Sequence, residues 1–284
     1  MSKILIQCVV VLYKCALDDS ETLLSLKEVC RQFSGLSRRI ALLIYDNSPN
    51  PQAANLDHWD YGAIEYYHAP ENGGLASAYN QALSKAIESD IKWLLLLDQD
   101  TVLTPALFAA LFETIESPLL PEVCAIVPKL AQQGKMLSPQ IVGRFHNLNF
   151  PTAFSGTYRR RITAFNSAAC LRTQALVAIG RFPREYWLDF LDHIMFHRLQ
   201  AAGGRVLVLN VVVQHRLSLR NLEAEMGLER YANVLSAEWR FVRETGSGGG
   251  PFVHRLRLLK RALSHTIKLR NKTYAIKTLH AALE

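Results

Sequence analysis

The sequence predicts an α/β fold with a helical extension at its C-terminal end, and three observations carry that prediction. Short apolar runs at 3–13, 39–45, 64–68, 93–98, 123–130 and 205–213 alternate with stretches of helical spacing. The run at 93–101, WLLLLDQDT, is apolar on both alternating faces, as a central strand between two helical layers must be. From Leu222 onward the spacing is helical. At 284 residues, 49% of them hydrophobic, the chain is long enough for one large α/β domain with an appendage.

Taken in order, KILIQCVVVLY (3–13) reads as a buried first strand. It imitates a secretory signal, but Gln7 interrupts it, Lys14 follows and no small-residue cleavage site is present. A helix over 19–33 follows, capped by Asp18, Asp19 or Ser20. The second strand ends in Asp46-Asn47-Ser48-Pro49-Asn50, an acidic turn where an open α/β sheet holds ligands. The third leads into Glu71-Asn72-Gly73-Gly74-Leu75, whose glycines permit a tight turn, even a phosphate-cradling one, before a helix running to Ser89. This is neither GxGxxG nor a Walker loop, which disfavours Rossmann and nucleotide-hydrolase readings.

WLLLLDQDT stops abruptly at two carboxylates. At the mouth of a buried strand, Asp98 and Asp100 are placed to project into a cleft. Carboxylates together with substrate phosphates are the usual way to hold Mg²⁺ or Mn²⁺, so the expectation is a metal-diphosphate site. Pro105 then opens a helix to Glu116, and 123–130 forms another strand. Over 131–161 periodicity disappears and Arg159-Arg160-Arg161 closes a long loop. A strand over 162–171, a short helix over 173–179 and a helix over 187–202 come next. In that last helix Asp189 and Asp192, three residues apart, would share one face near its positive end. His193 and His197 are spaced as in a zinc-protease helix, but Ile194 stands where that chemistry needs a glutamate, so both are read as packing or surface residues. The strand at 205–213 ends just before His215.

A helix over 222–244 and a Gly-rich flexible link at 245–250 lead to the tail. Residues 251–284 carry eight Lys or Arg against Glu284, so the net charge of +7 resides there and the rest of the chain balances. Phe252, Leu256, Leu259, Leu263 and Ile267 recur at helical spacing beside Arg255, Lys260, Arg261 and Lys268. Such a helix either packs on the domain or a second subunit, or lies on an anionic membrane surface. Nucleic-acid binding is not expected, since no aromatic recognition module accompanies the charge. The five cysteines are scattered and odd in number, which fits reduced core thiols. With no 18-residue apolar span, a cytoplasmic protein, peripheral on the inner membrane face, is expected.

Together, Asp46-Asn47-Ser48, Glu71-Asn72 with Gly74-Leu75-Ala76 and Asn80, and Leu-Leu-Leu-Asp-Gln-Asp-Thr resemble the GT-A family 2 glycosyltransferases over residues 4–218. The Asp-Gln-Asp form is similar to the rhamnosyltransferase-like branch. The resemblance implies a GT-A mixed sheet flanked by helices, with a catalytic domain over 1–220 and a helical extension over 221–284. It places Val11 and Tyr13 against the nucleotide base, Asp46 on the base or ribose, and Asn72 and Asn80 near the nucleotide. Asp98 would face the ribose, with Gln99 in the same nucleotide-binding set. Asp100 would ligate a divalent cation, Mg²⁺ or Mn²⁺, with His215 beside it. Asp192 would be the general base of an inverting displacement, a role Asp189 can share because Leu191 and Ile194 flank Asp192 where relatives carry other acids. Lys14 stands where relatives have asparagine, and Asn166-Ser167 where they have Ser-Gly. The implied partners are a nucleotide-sugar donor, dTDP-rhamnose by the Asp-Gln-Asp form, and a saccharide or lipid-linked saccharide acceptor of bacterial surface polysaccharide synthesis. UDP-hexose or galactofuranose transfer, and a non-catalytic sugar-nucleotide-binding partner, are the alternatives. A homodimer through the tail is a further expectation.

Overall fold

The computed structural model describes residues 4–33, 35–52, 56, 63–215 and 222–283. The chain divides into two compact units, Met1–Gln140 with Asn149–Arg216, and Ile141–Leu148 with Leu217–Glu284. The expected boundary at 220/221 lies outside the described residues.

The first unit is built on a nine-stranded mixed sheet. Its strands are β1 (Ile6–Leu12), β2 (Ile40–Asp46), β3 (Ile64–His68), β4 (Trp93–Asp98), β5 (Val123–Gln132), β6 (Lys135–Ser138), β7 (Gly156–Thr157), β8 (Ala169–Arg172) and β9 (Arg205–Gln214). The order is β3-β2-β1-β4-β8-β5-β9-β7, with β6 paired to β5. Strands β3, β2, β1 and β4 are mutually parallel, and β8 enters antiparallel between β4 and β5. The parallel quartet puts the C-terminal ends of β1, β2, β3 and β4 on one edge, where the acidic turns of the sequence lie.

Helices α1 (Glu21–Gln32) and α3 (Pro105–Glu116) cover one sheet face. Leu23, Leu26, Leu107, Phe108 and Phe112 form a single apolar cluster there with Cys8, Val10, Trp93, Leu95 and Leu97. Helix α2 (Gly74–Glu88) packs on β1 and β4 with Ala76, Tyr79, Ala82 and Leu83 buried. The WLLLL run is thus buried on both faces, which explains its lack of alternation. Ser20 is the residue that caps α1, accepting from the Leu23 amide at 3.3 Å.

Four expectations are corrected. The 131–161 stretch contains a hairpin: Gln132 pairs with Lys135 across Gln133 and Gly134, both at positive φ, the geometry of a two-residue primed turn. The run at 162–171 is not one strand, because a turn at Asn166-Ser167 precedes β8 and Ala168 adopts φ 59°. Short helix α4 (Thr173–Ala178) follows as anticipated. The helix expected over 187–202 begins only at Leu191, as α5 (Leu191–Ala201), because Phe190 takes a left-handed φ of 64°. Asp189 therefore precedes the helix and shares no helical face with Asp192.

The fourth correction lies in the second unit, which holds α6 (Leu222–Glu225), α7 (Leu228–Thr245), α8 (Gly250–Lys268) and α9 (Thr273–Leu283). The glycine run is a corner rather than a flexible link: Gly246, Gly248, Gly249 and Gly250 all have positive φ, and the Gly246 amide caps α7 on the Val242 carbonyl at 2.9 Å. Tyr231, Leu235, Trp239, Leu258, Tyr274, Ala281 and Ala282 fill the core between these helices. Arg261 grips Glu238 through two hydrogen bonds of 2.7 and 2.9 Å, and Tyr231 Oη meets Thr278 Oγ1 at 2.7 Å. No described helix is long and apolar enough to cross a membrane.

Candidate active site

The site forms where parallel strands stop. Register sets Val11 beside Asp98 and Leu12 beside Asp46, so the ends of β1, β2 and β4 are level. Past β4 the chain turns through Gln99 and Asp100 to Thr101, which bridges to His215 just beyond β9. That bridge joins residues more than a hundred positions apart in the sequence. Asp98, Asp100 and His215 each offer one ligand atom, all within 4.8 Å of one another.

The Asp-Gln-Asp turn is held from behind by α1. Thr22 Oγ1 donates to the Asp98 carbonyl and accepts from the Thr101 amide at 2.8 Å, while Ser20 Oγ donates to the Gln99 carbonyl at 2.9 Å. The Gln99 side chain accepts from the Tyr13 amide at 2.9 Å, clamping the end of β1 to the end of β4. Burial pushes the Asp98 carboxyl above its ordinary range; the Ser167 hydroxyl that donates to it pulls the other way, as does His215, and the charges of Asp100 and Asp192 push further up. A carboxylate strained in this sense is stabilised by a neighbouring cation. His215 is buried, and its Nδ1 has no hydrogen-bond partner among the described residues. Two carboxylates beside such an imidazole suit a divalent cation that accepts oxygen and nitrogen donors.

At the β2 end, Asp46 is fully enclosed. Its Oδ1 accepts from the Ser48 amide at 2.9 Å, and its Oδ2 accepts from Tyr66 Oη at 2.8 Å and Gln52 Nε2 at 2.9 Å. Burial alone would raise its pKa, but these donors outweigh it and hold the carboxyl below the usual range. Asp46 thereby organises the turn at 47–52, and Ser48 Oγ in turn accepts from the Lys14 amide at 2.8 Å. Lys14 has φ 51°, a conformation asparagine adopts more readily than lysine. At the end of β1, Val11 is buried and the ring of Tyr13 is exposed.

The Gly73-Gly74 turn is packed against Trp187. The Leu75 amide donates to the Trp187 carbonyl at 2.9 Å, and Trp187 Nε1 donates to the Asn72 carbonyl at 2.8 Å. A Cβ on Gly74 would lie 2.2 Å from that Trp187 carbonyl, and Gly74 has φ 72°. Gly74→Ala is therefore expected to destabilise the protein by roughly 2–4 kcal/mol, read as a lower urea midpoint at unchanged slope. Asn80 Nδ2 donates to the Phe182 carbonyl at 2.8 Å and its Oδ1 accepts from the Phe182 amide at 3.0 Å. Asn72 and Asn80 thus fix the 182–190 segment that delivers α5 to the site.

Asp192 stands in the first turn of α5, with its Oδ1 accepting from the His193 amide at 2.7 Å, and its charge reaches both Asp98 and the buried Tyr79. His193 meets Thr163 Oγ1 at 2.7 Å, a packing role. Arg159, Arg160 and Arg161 are exposed. Sequence reasoning missed Thr22, Ser167 and Trp187. Thr22 and Trp187 gave no local signal, and Ser167 stood out only as a departure from the family pattern.

The mixed sheet flanked by helices, with acidic residues at its parallel strand ends, is that of a GT-A glycosyltransferase. The glycosyl transferase family 2 profile matches residues 9–172, and the chain belongs to that family. No curated protein matches the sequence significantly. Among solved structures, the chain is similar to S. aureus TarS residues 1–349 (TM-score 0.58, 13% identity, 98% of this chain and 89% of that one). GalNAc-T7 with UDP, GalNAc and Mn²⁺ matches at TM-score 0.62 and 12% identity, over 97% of this chain and 54% of that one. The mannosyltransferase PcManGT from Pyrobaculum calidifontis with GDP-Man and Mn²⁺ matches at 0.52 and 14%, over 98% and 71%. At such identities the likeness is one of fold.

Proposed function

We propose that the chain is an inverting, divalent-cation-dependent transferase that moves L-rhamnose from dTDP-rhamnose to a saccharide or lipid-linked saccharide acceptor. The observation that supports it most is the convergence of Asp98, Asp100 and His215 within 4.8 Å at the mouth of β4. A nucleotide-sugar donor is consistent with the GDP-Man of PcManGT and the UDP-GlcNAc of TarS, and rhamnose follows from the Asp-Gln-Asp form of the motif. Asp100 and His215, with Asp98, would hold the cation, which when bound neutralises charge on the departing diphosphate.

The remaining chemistry is assigned to side chains of this chain. An acceptor hydroxyl attacks the anomeric carbon, its proton passes to the Asp192 carboxylate, and the carbon–oxygen bond to the nucleoside diphosphate breaks. Tyr13 and Val11 are assigned to the base, and the turn organised by Asp46 to the ribose. Gln99, by clamping Tyr13, keeps the base and diphosphate ends of the donor site in register. The test is turnover with a panel of nucleotide sugars, with and without Mn²⁺ or Mg²⁺, the anomeric configuration of the product being read by NMR. Inverted transfer from dTDP-rhamnose that chelation abolishes is the expected result. Turnover of UDP-hexoses alone would remove the rhamnose assignment and leave the transferase.

A further inference from the structure

The apolar stripe of the tail is not the face that packs into the protein. On α8 the buried positions are His254, Leu258 and Ala262, facing Trp239 and Tyr274 in the core of the second unit. Phe252, Leu256, Leu259, Leu263 and Ile267 lie on a separate helical face, and all five are exposed, from 41% at Leu259 to 74% at Ile267. Helix α9 repeats the pattern: Tyr274, Ala275, Thr278 and Ala281 are buried while Ile276, Leu279 and Leu283 are exposed. Five large apolar side chains in a row on one helix, uncovered, mark a docking surface rather than the scattered exposure normal for a monomer.

Charge decides what the surface takes. At 100° per residue Arg255 and Lys260 border the α8 stripe on opposite sides, and both are exposed. Lys268, Arg270 and Lys272 add to them around the α8–α9 turn and are also exposed. Residues 251–283 contain no acid. A second copy docking through this face would oppose the same cations to one another, which is costly in a two-fold contact. A nucleic-acid backbone would satisfy the cations and leave Phe252, Leu263 and Ile267 in water. An apolar interior beneath an anionic surface satisfies both. We infer that α8 and α9 form a docking surface for an anionic lipid bilayer, with the α8 stripe inserted among the acyl chains and Arg255 and Lys260 at the headgroups.

The test uses the full chain with vesicles of phosphatidylcholine alone or mixed with phosphatidylglycerol, binding being read by flotation. Flotation with the anionic vesicles only, weakened by high salt, is expected. Leu263→Asp with Ile267→Asp should weaken binding on the order of a hundredfold, and Arg255→Gln with Lys260→Gln about tenfold. Leu263 and Ile267 stand clear of the core, so thermal unfolding of that variant should be unchanged, with Ile267→Ser as a milder variant should the pair disturb folding; Arg255 lies over the Trp239 ring at 5.7 Å, so Lys260→Gln alone accompanies the charge variant as the change that leaves the core untouched. Turnover with a soluble acceptor should persist in every variant, which separates this surface from the donor site. Absence of flotation, or equal flotation of the Leu263→Asp, Ile267→Asp protein, overturns the inference. So does a dimer in sedimentation equilibrium that this variant converts to monomer, since the stripe then belongs to a second copy.

Discussion

Replacing Asp100 by alanine is expected to lower kcat/KM by roughly a thousandfold and to abolish Mn²⁺-assisted donor binding in calorimetry, while leaving the fold intact. Asp100 is one of three donors within 4.8 Å, and nothing in the sheet depends on its side chain, because the turn is tied down through the backbone by Thr22 and Ser20. Its charge also raises the neighbouring Asp98 carboxyl, so removing it relieves a repulsion in the unliganded protein. Thermal stability should accordingly be equal or slightly higher without metal, and the increment in melting temperature on adding Mn²⁺ and donor should vanish. Full activity in Asp100→Ala would refute the cation site.

Asp192→Asn is expected to have the second large effect, a fall in kcat of about 10²–10⁴ with donor affinity retained, as removal of the proposed general base requires. Asparagine is isosteric, so the hydrogen bond from the His193 amide can persist and α5 should keep its place. Asp189→Asn is the informative companion. A helix starting at Trp187 would make the two acids equivalent neighbours; with Phe190 left-handed and α5 starting at Leu191, they belong to different local structures. Asp189→Asn should therefore lose much less than Asp192→Asn. Equal losses in single-turnover assays would show that the proton is shared or taken by Asp189.

Much of this site was legible because its chemistry is local. Asp98 and Asp100 end an uninterrupted apolar run, and that position, together with the acidic turn at 46–50 and the Gly-rich turn at 71–75, pointed to them. Asp46 was found the same way, yet its role in the structure is shared with Ser48, Gln52 and Tyr66, which consume both oxygens. Asn80 and the Gly73-Gly74 pair have partners that no local reading could supply: they accommodate Phe182 and Trp187 from a segment a hundred residues away. The tail shows the converse. Its amphipathic period was plain, but a period says only that two faces differ; it left open whether the apolar stripe packs, and the structure leaves that stripe outside.

What the sequence by itself determined was the alternation of strands and helices, the α/β class and the acidic strand ends, because hydrophobic period and turn chemistry act between residues close in the chain. Tertiary structure alone decided that Thr101 bridges to His215, that Ser167 holds Asp98, that Trp187 fills the glycine turn, that Phe190 turns left-handed before α5, and which side of α8 faces water. Each of those depends on strand order and helix rotation, which are settled by burial summed over the whole core and leave no mark on any single stretch of chain.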